Sequence, residues 1–343
     1  MSADRPTANA WGPLDLAPSI GVVGLGGAGS EAVQDLVALG IPGVRAIAVN
    51  TDAARLLRTG VEERILLGQR ELRGRGSGGD RSLVLQAVEE GRDELLRRLR
   101  PLEIVFLLAG IGGGTGSALL PYLSRALRST ATLAVPVVFL PFQVEIENNR
   151  ARRENVVATV SELEDLGGLL VALANEKLRR FESLPIHRVF QVRNAYLHSL
   201  VSSLVDMVEN PSQLNVDLAS LKNHLRESGL STLVVGEYHV SEPERLVQQA
   251  LSDSLLDYHL SERPSALVHL EGGSNLTLRT LNRVLQSMSQ RLNHPDRLVF
   301  GTRVRPEPRE VVHLTAVIGG LRTRSVREAV ETSTEILRPA FVH

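Results

Sequence analysis

Short apolar runs alternate with longer amphipathic segments along the first half of the chain. Runs rich in Val, Ile and Leu that end at a glycine-rich turn, or at Asn and Asp, are typical of strands buried in a parallel sheet. Segments with apolar residues every three or four positions predict helices between them. Strands are predicted at residues 20–23, 45–49, 104–108, 135–140 and 169–173, and helices at residues 31–39, 82–99 and 151–166. This alternation favours a parallel sheet with helices on both faces.

A long apolar segment separates this half from the rest. Residues 194–208 carry apolar side chains around much of a helical circumference, and the pattern stops at Asn210 and Pro211. Such a helix is usually buried between two layers, so we predict a central helix over residues 194–210. Further strands are predicted at residues 233–235, 266–270 and 311–318, and helices at residues 218–225, 242–256 and 278–292. The predicted organisation is a flexible tail over residues 1–18, a parallel α/β domain over residues 19–193, the central helix, and a smaller α+β domain over residues 211–343.

Composition excludes several classes of function. Of 343 residues 43% are apolar, which is enough for a core, and a formal net charge of -1 gives no electrostatic case for nucleic acid or an anionic membrane. The chain has no Cys, which excludes disulfides, thiolate metal sites and Cys nucleophiles. Its His residues are scattered, and no metal site is predicted. No apolar run is long enough to span a membrane, and we expect a cytoplasmic protein that neither binds nucleic acid nor inserts into membranes.

Glycine-rich turns follow several of the predicted strands. Gly24, Gly26 and Gly29 form a G-x-G-x-x-G pattern, and Asp52 ends the next strand. Glycine lets the backbone approach an anion closely, and a helix that starts there adds the positive end of its dipole. Taken alone, this pattern is equally typical of a dinucleotide-dependent oxidoreductase, which stays open as an alternative.

The turn after residues 104–108 is the stronger indication of a phosphate site. It contains Gly112, Gly113, Gly114, Thr115, Gly116 and Ser117. A plain strand-to-helix turn needs one or two glycines, and four glycines with two hydroxyls exceed that need. The G-x-x-x-x-G-K-[ST] sequence of a P-loop is absent, so the site belongs to another class.

These motifs resemble those of the tubulin/FtsZ family, in the same order and at near-equal spacing from residue 20 to residue 320. Residues 112–117 are similar to the family signature G-G-G-T-G-[ST]-G, and residues 24–29 resemble the first phosphate loop of FtsZ. The other matching segments are residues 48–53, 74–79, 175–178, 211–219 and 272–278. The resemblance implies a Rossmann-like nucleotide-binding domain, a central helix and a smaller C-terminal domain.

The resemblance also implies a ligand, a site and a partner. GTP or GDP is the expected ligand, and Mg²⁺ is a candidate companion ion. The residues placed around the nucleotide are Gly26, Gly27, Gly29, Asn50, Asp52, Ser77, Gly78, Gly79, Gly112, Gly113, Gly114, Thr115, Gly116, Ser117, Glu145, Arg150, Asn175, Phe190 and Asn194. The partner is a second copy of the chain, because family members stack head to tail and an acidic loop of one subunit reaches the nucleotide of the next. Such a heterologous contact builds open filaments.

The acidic loop departs from the family pattern N-x-D-x-x-D. Asn215 and Asp217 match, but Ser220 stands in place of the last carboxylate. A hydroxyl neither holds charge nor polarises water comparably, and such contributions are worth orders of magnitude in rate. We therefore predict slow or absent GTP hydrolysis. The alternative is an active polymerisation-dependent GTPase, in which Asp217 or a nearby Glu supplies the carboxylate.

Two further departures concern nucleotide recognition. Asn194 takes the position at which FtsZ reads the guanine edge, but an amide lacks the charge and the second acceptor of a carboxylate. Guanine is therefore the expected base, held less firmly, and the other interpretation of Asn194 is a helix cap. Glu145 and Arg150 resemble the family's ribose- and purine-contacting pair at a spacing one residue longer, and a surface position explains Arg150 equally well.

The partners are expected to differ from those of an ordinary division FtsZ. The sequence shows no long C-terminal linker with a short adaptor-binding peptide. We expect a specialised paralogue that uses another, unidentified adaptor. A nucleotide-free scaffold is a further alternative, although three retained glycine-rich loops argue against it because glycine costs chain entropy.

Overall fold

The computed structural model describes residues 19–209 and 217–322, with only the backbone of Glu209. The tail predicted over residues 1–18 and the predicted catalytic residue Asn215 lie outside these ranges. The strands are β1 Ile20–Leu25, β2 Val44–Asn50, β3 Glu63–Leu66, β4 Ile104–Gly110, β5 Leu133–Leu140, β6 Leu170–Ala174, β7 Leu230–His239, β8 His259–Gly272, β9 Arg297–Val304 and β10 Val311–Arg322. The helices are α1 Gly26–Leu39, α2 Ala53–Arg58, α3 Arg81–Leu99, α4 Gly114–Arg128, α5 Gln143–Glu147, α6 Arg150–Leu166, the 3-10 helix Asn175–Phe181, α7 Ile186–Glu209, α8 Leu218–Arg226, α9 Pro243–Ser252 and α10 Leu278–Arg291.

The strands of the described residues form one sheet, in the order β3-β2-β1-β4-β5-β6-β7-β10-β8-β9. Strands β1 to β6 pair in parallel, and β7 joins β6 in parallel with Leu230 opposite Leu170. Strand β10 then runs antiparallel to both β7 and β8. The predicted parallel sheet and the mixed second half are therefore confirmed.

Two apolar layers flank the sheet. Buried aliphatic residues of α3, α4, α6, α9 and α10 cover one face. Those of α1, α7 and α8 cover the other. With both faces covered, the connecting loops gather at the two ends of the strands.

The two edge strands have no counterpart in the sequence predictions. Both β3 and β9 lie at the ends of the strand order. Polar and charged residues are common on edge strands, and they mask the apolar pattern on which the predictions rest. In β3, Glu63 forms an ion pair with Arg45 of the neighbouring strand at 2.6 Å.

The central helix α7 begins earlier than predicted. The apolar pattern placed its start at residue 194, whereas the helix begins at Ile186, directly after Pro185. Proline suits the start of a helix because its missing N–H would have no intrahelical partner there. The first turns escaped the prediction because they are partly polar. Along its length α7 contacts α1 and the 3-10 helix of the first half and β7, β9 and β10 of the second, so it joins the two halves.

Across residues 19–209 and 217–322, none of the helices combines the length and the apolar character that crossing a bilayer requires.

Candidate functional site

A cavity of about 480 Å³ opens at the carboxyl ends of the central parallel strands, where ligands of open α/β sheets bind. Glycine turns after β1 and β4, and residues at the end of β2, form one side, whereas β5, the 3-10 helix and the first turns of α7 supply the other. The predicted ligand-binding residues on its wall are Gly26, Gly27, Asn50, Asp52, Ser77, Gly78, Gly79, Gly113, Gly114, Thr115, Gly116, Glu145, Asn175 and Phe190. Most of the predicted site is thus brought together in space.

The first glycine turn joins β1 to α1. Gly26 is the first residue of α1, and its φ of 72° lies in the left-handed region that glycine tolerates. Gly29 lies off the cavity wall, and a Cβ there would stand 2.1 Å from the carbonyl oxygen of Leu108 on β4. Gly29 therefore permits α1 to pack closely on the sheet, with the positive end of the helix at the cavity.

The third glycine turn, between β4 and α4, is held by buried hydroxyls. Ser117 is fully buried, and its Oγ accepts a hydrogen bond from Gly112 N at 2.8 Å. Thr115 Oγ1 lies 2.9 Å from Thr51 Oγ1, which links this turn to the end of β2. Ser117 and Gly112 therefore shape the turn from behind the wall. The residues of this turn that line the cavity, Gly113 to Gly116, lie at the N-terminus of α4, and that helix adds a second positive dipole end.

The second glycine turn, residues 74–79, is tied to the other two. Gly76 N donates to the carbonyl oxygen of Thr51 at 3.1 Å. Asn155 on α6 donates through Nδ2 to Gly79 O at 2.8 Å and to Gly112 O at 3.1 Å. Sequence reasoning missed Asn155, because a lone Asn inside a helix gives no local indication of such a link.

Asn50 supplies a buried donor to the cavity wall. Its side chain is 2% exposed, and Oδ1 accepts hydrogen bonds from Thr51 N at 2.8 Å and Asp52 N at 3.2 Å. Its Nδ2 has no hydrogen-bond partner among the described residues. A buried polar atom without a partner costs about 1–3 kcal/mol. A ligand oxygen placed at this nitrogen would remove that cost.

At the opposite end of the cavity, one residue that was predicted to contact the nucleotide lies away from the wall. Phe190 and Asn175 lie on the wall, but Asn194 does not. Asn194 is 2% exposed, and its Nδ2 donates to Asp35 Oδ2 at 2.6 Å. The wall position belongs to Arg193. Adjacent residues of a helix point about 100° apart, so the helix phase brings Arg193 to the cavity and turns Asn194 into the protein.

The arginine beside Glu145 on the wall is Arg152, whereas Arg150 was predicted there. Glu145 lies on the wall, and Arg152 Nη1 contacts its Oε1 from the same cavity. Arg150 is highly exposed, and its Nε donates to Glu154 Oε1 at 2.7 Å along α6. Arg150 is the first residue of α6 and points to solvent, whereas Arg152, farther into the first turn, faces the cavity.

The arginines of the wall were missed by the sequence reasoning. They are Arg55, Arg75, Arg152 and Arg193, and the wall also carries Glu31 and the predicted residues Asp52 and Glu145. Arg55 lies directly over the first glycine turn, since a Cβ on Gly27 would stand 2.5 Å from its Nη1. The sequence did offer one indication of positive charge at the site, because Arg75 lies within the second glycine turn. Positive charge in a cleft of this kind attracts anions.

Two of the predicted catalytic residues, Asp217 and Ser220, lie at the other end of the sheet. Asp217 and Ser220 begin α8, whose Lys222 Nζ lies 3.5 Å from Oε1 of Glu103, the residue before β4. Ser220 donates to both carboxylate oxygens of Asp217, through N to Oδ1 at 2.8 Å and through Oγ to Oδ2 at 2.6 Å. These hydrogen bonds hold the pKa of Asp217 below its usual range, and the bond from the Ser220 hydroxyl has the largest effect. Within one chain, Asp217 and the cavity are therefore separated by the length of the sheet.

Glycine turns that meet at the carboxyl edge of a doubly covered parallel sheet, with two helix N-termini at one cavity, define a nucleotide-binding α/β protein. Comparison with known protein families narrows this class to one family. Residues 19–183 match the GTPase domain of the Tubulin/FtsZ family, and residues 229–322 match the C-terminal domain of the FtsZ family.

Individual relatives agree with this match. Over 309 residues the chain is 32% identical to cell division protein FtsZ 1 of Methanocaldococcus jannaschii, covering 89% of this chain and 84% of that protein. A tryptophan-to-tyrosine variant of FtsZ from M. jannaschii superposes with a TM-score of 0.79 at 31% identity, covering 89% of this chain and 92% of that one. CetZ2 from Haloferax volcanii, solved as a GTPγS-bound protofilament, shares the fold with a TM-score of 0.79 at 21% identity, covering 94% and 99%. The chain belongs to the tubulin/FtsZ family.

Proposed function

We propose that this protein binds GTP or GDP in the cavity, assembles head to tail into filaments, and hydrolyses GTP slowly or not at all. Three glycine turns and the N-termini of α1 and α4 converge on that cavity, and this convergence is the basis for the assignment. Backbone N–H groups and helix dipoles so arranged favour phosphate groups.

The polar groups of the wall fit a nucleoside triphosphate. The unpartnered Nδ2 of Asn50 offers a donor, and the guanidinium of Arg55 lies over the first glycine turn. The ring of Phe190 offers an apolar surface for a base at the other end. Mg²⁺ enters this proposal with the phosphates, because Mg²⁺ at nucleotide sites is held largely by phosphate oxygens and water.

The separation of Asp217 from the cavity supports head-to-tail assembly. Strand β5 has 8 residues, so the two ends of the sheet lie about 25 Å apart. Asp217 reaches a nucleotide only in a second copy stacked on the first, end to end. A contact between unlike ends of identical subunits builds an open filament. CetZ2 of Haloferax volcanii, which shares the fold, is described as a GTPγS-bound protofilament.

The hydrogen bonds at the start of α8 support slow hydrolysis. Both oxygens of Asp217 accept from Ser220, and a carboxylate with a lowered pKa is a weak base. The family's second carboxylate is absent at position 220. A stacked neighbour would therefore present little negative charge to orient and activate a water.

Nucleotide binding is tested first, by calorimetric titration of nucleotide-stripped protein with GTP, ATP and NAD in the presence of Mg²⁺. Tight GTP binding with weak ATP and NAD binding is expected. If none of the three binds, the nucleotide-binding proposal is wrong and the scaffold alternative stands. Preferred NAD binding would support the dinucleotide alternative instead.

Assembly and hydrolysis are then measured together, by negative-stain microscopy, pelleting and phosphate release with GTP. We expect filaments with little phosphate release, and we expect Ser220→Asp to raise the rate about tenfold or more, because one charged catalytic group is typically worth that factor. Ser252→Asp, which adds the same charge at an exposed position at the end of α9, is the matched control and should leave the rate unchanged. Phosphate release by the wild type in proportion to polymer mass, unchanged in Ser220→Asp, would show an active GTPase and contradict the proposal of weak hydrolysis.

A further inference from the structure

Arg193 is a buried cation on the wall of the cavity, at the end where Phe190 lies. The residue as a whole is only 4% exposed. The centre of its guanidinium lies 4.0 Å from the ring centroid of Phe139 and 5.1 Å from that of Phe190. Contacts of this kind between a guanidinium and aromatic faces are stabilising and restrict the position of the cation.

Two amide oxygens hold the same guanidinium. Arg193 donates through Nε and Nη2 to Asn194 Oδ1, both at 3.2 Å, and through Nη1 to Asn175 Oδ1 at 3.3 Å. Asn194 is fixed in turn by its bond to Asp35. The amide oxygens of Asn175 and Asn194 are therefore already bound to an arginine rather than open to the donor edge of guanine, N1–H and the 2-amino group.

The charge of Arg193 is kept by nearby carboxylates. Burial lowers its pKa to about 10, while Glu31 and Asp35 act in the opposite direction. The side chain is therefore a cation at neutral pH. Its three hydrogen bonds use part of the donor set of a guanidinium, which carries N–H groups on all of its nitrogens, and no further partner is found for it among the described residues.

Resting on the proposed GTP site, we propose that Arg193 is the residue that determines base specificity, by donating N–H groups to the acceptor edge of a 6-oxopurine. A guanidinium matches the O6 and N7 acceptors of guanine in a bidentate arrangement. Adenine presents an amino group at position 6, which cannot accept from Arg193. Asn175, Asn194 and Asp35 are positioning residues that hold Arg193 in place.

This assignment makes the exocyclic 2-amino group of guanine dispensable and N7 important. The test is a set of calorimetric affinities for GTP, ITP, 7-deaza-GTP and ATP. ITP should bind within about threefold of GTP, whereas 7-deaza-GTP and ATP should bind about tenfold more weakly, since each loses a hydrogen bond to a charged donor. A site that reads the donor edge of guanine would instead bind ITP much more weakly than GTP and 7-deaza-GTP as well as GTP.

Two variants of the residue separate its donors from its bulk and charge. Arg193→Met removes the guanidinium but keeps a long side chain, and Arg193→Lys keeps the charge without the planar pair of donors. Both should bind GTP and 7-deaza-GTP with affinities within about twofold of each other, because the contact to N7 is gone. Arg188→Met, on the exposed face of the same helix, is the control and should keep the full discrimination. Circular dichroism establishes that each variant is folded.

Three results would overturn the inference. One is ITP binding at least tenfold weaker than GTP in the wild type. Another is unchanged discrimination against 7-deaza-GTP in folded Arg193→Met or Arg193→Lys. A third is uniformly tighter binding of all four nucleotides by Arg193→Met, which would show that the arginine fills the base position. In each case GTP binding itself remains, so the proposed function stands; absence of binding by all four nucleotides would remove that function instead.

Discussion

Glu145 places a carboxylate on the wall of a cavity that we propose holds a triphosphate. Its two oxygens are engaged separately: Oε1 contacts Arg152 Nη1, and Oε2 accepts from Phe142 N at 3.0 Å. Arg152 thus neutralises a charge that would repel an anion. We predict that Arg152→Ala weakens GTP binding about tenfold, because it exposes the ligand to an uncompensated carboxylate. Calorimetric titration measures the change.

Arg150→Ala is the matched control for that variant. It removes the same charge from the same helix, but Arg150 points to solvent and pairs with Glu154. Exposed pairs along a helix contribute little, so its GTP affinity should stay within about twofold of the wild type. Equal losses in the two variants would mean that overall charge, not the contact with Glu145, governs binding.

At single residues, the sequence predicts what depends on local chain conformation and misses what depends on helix phase or distant contacts. The turn from Gly112 to Ser117 could be recognised because its glycines and hydroxyls are contiguous. The sequence could not show that Arg193, and not Asn194, lies on the cavity wall, since this depends on how α7 is rotated over the sheet. Asn155 was missed for a related reason: its two acceptors lie on turns far away in sequence.

Strand β8 carries a buried histidine that makes folding sensitive to acid. His269 is 4% exposed, and its Nε2 has no partner among the described residues. Burial lowers the pKa of His269 from 6.5 to about 4, with Arg305 acting in the same direction and Glu271 against it. The unfolded chain therefore binds a proton between these values while the folded chain does not. Stability is complete above the unfolded pKa and declines as pH falls toward 4.

We predict that His269→Gln removes part of this pH dependence. Between pH 7 and pH 5 the wild type should lose about 2 kcal/mol of unfolding free energy through His269, and the variant should not. Urea unfolding at the two pH values gives the difference. His259→Gln, on the exposed start of the same strand, should behave as the wild type. A wild type equally stable at both values would contradict the prediction.

The whole molecule is held together by one sheet and one helix shared by both halves. The sheet continues from the first half to the second through β6 and β7, and α7 packs on elements of each. The predicted boundaries between a nucleotide-binding domain, a central helix and a C-terminal domain therefore do not separate independent cores. The types and order of most elements could be predicted, with the edge strands β3 and β9 as exceptions, whereas this continuity could not, because it depends on long-range pairing.

We predict a single unfolding transition for the full chain, and Leu204→Ala tests it. Leu204 of α7 is 1% exposed, and truncation of a buried Leu costs about 3 kcal/mol. The variant should lower the midpoint of the whole transition. Differential scanning calorimetry with Gln191→Ala, an exposed position of the same helix, as control measures the shift. Two separate transitions, with only one moved by Leu204→Ala, would mean that the halves unfold independently.

The cavity described above carries its positive charge on arginines, with no lysine or histidine among its described lining residues. A guanidinium keeps its proton throughout the range of cellular pH, and this holds for Arg193 with a pKa of about 10. Acetylation acts on lysine amines and leaves such groups unchanged. Acidification and lysine acylation therefore have no cationic target in this wall. Neither change would therefore release a bound anion by removing positive charge from this wall.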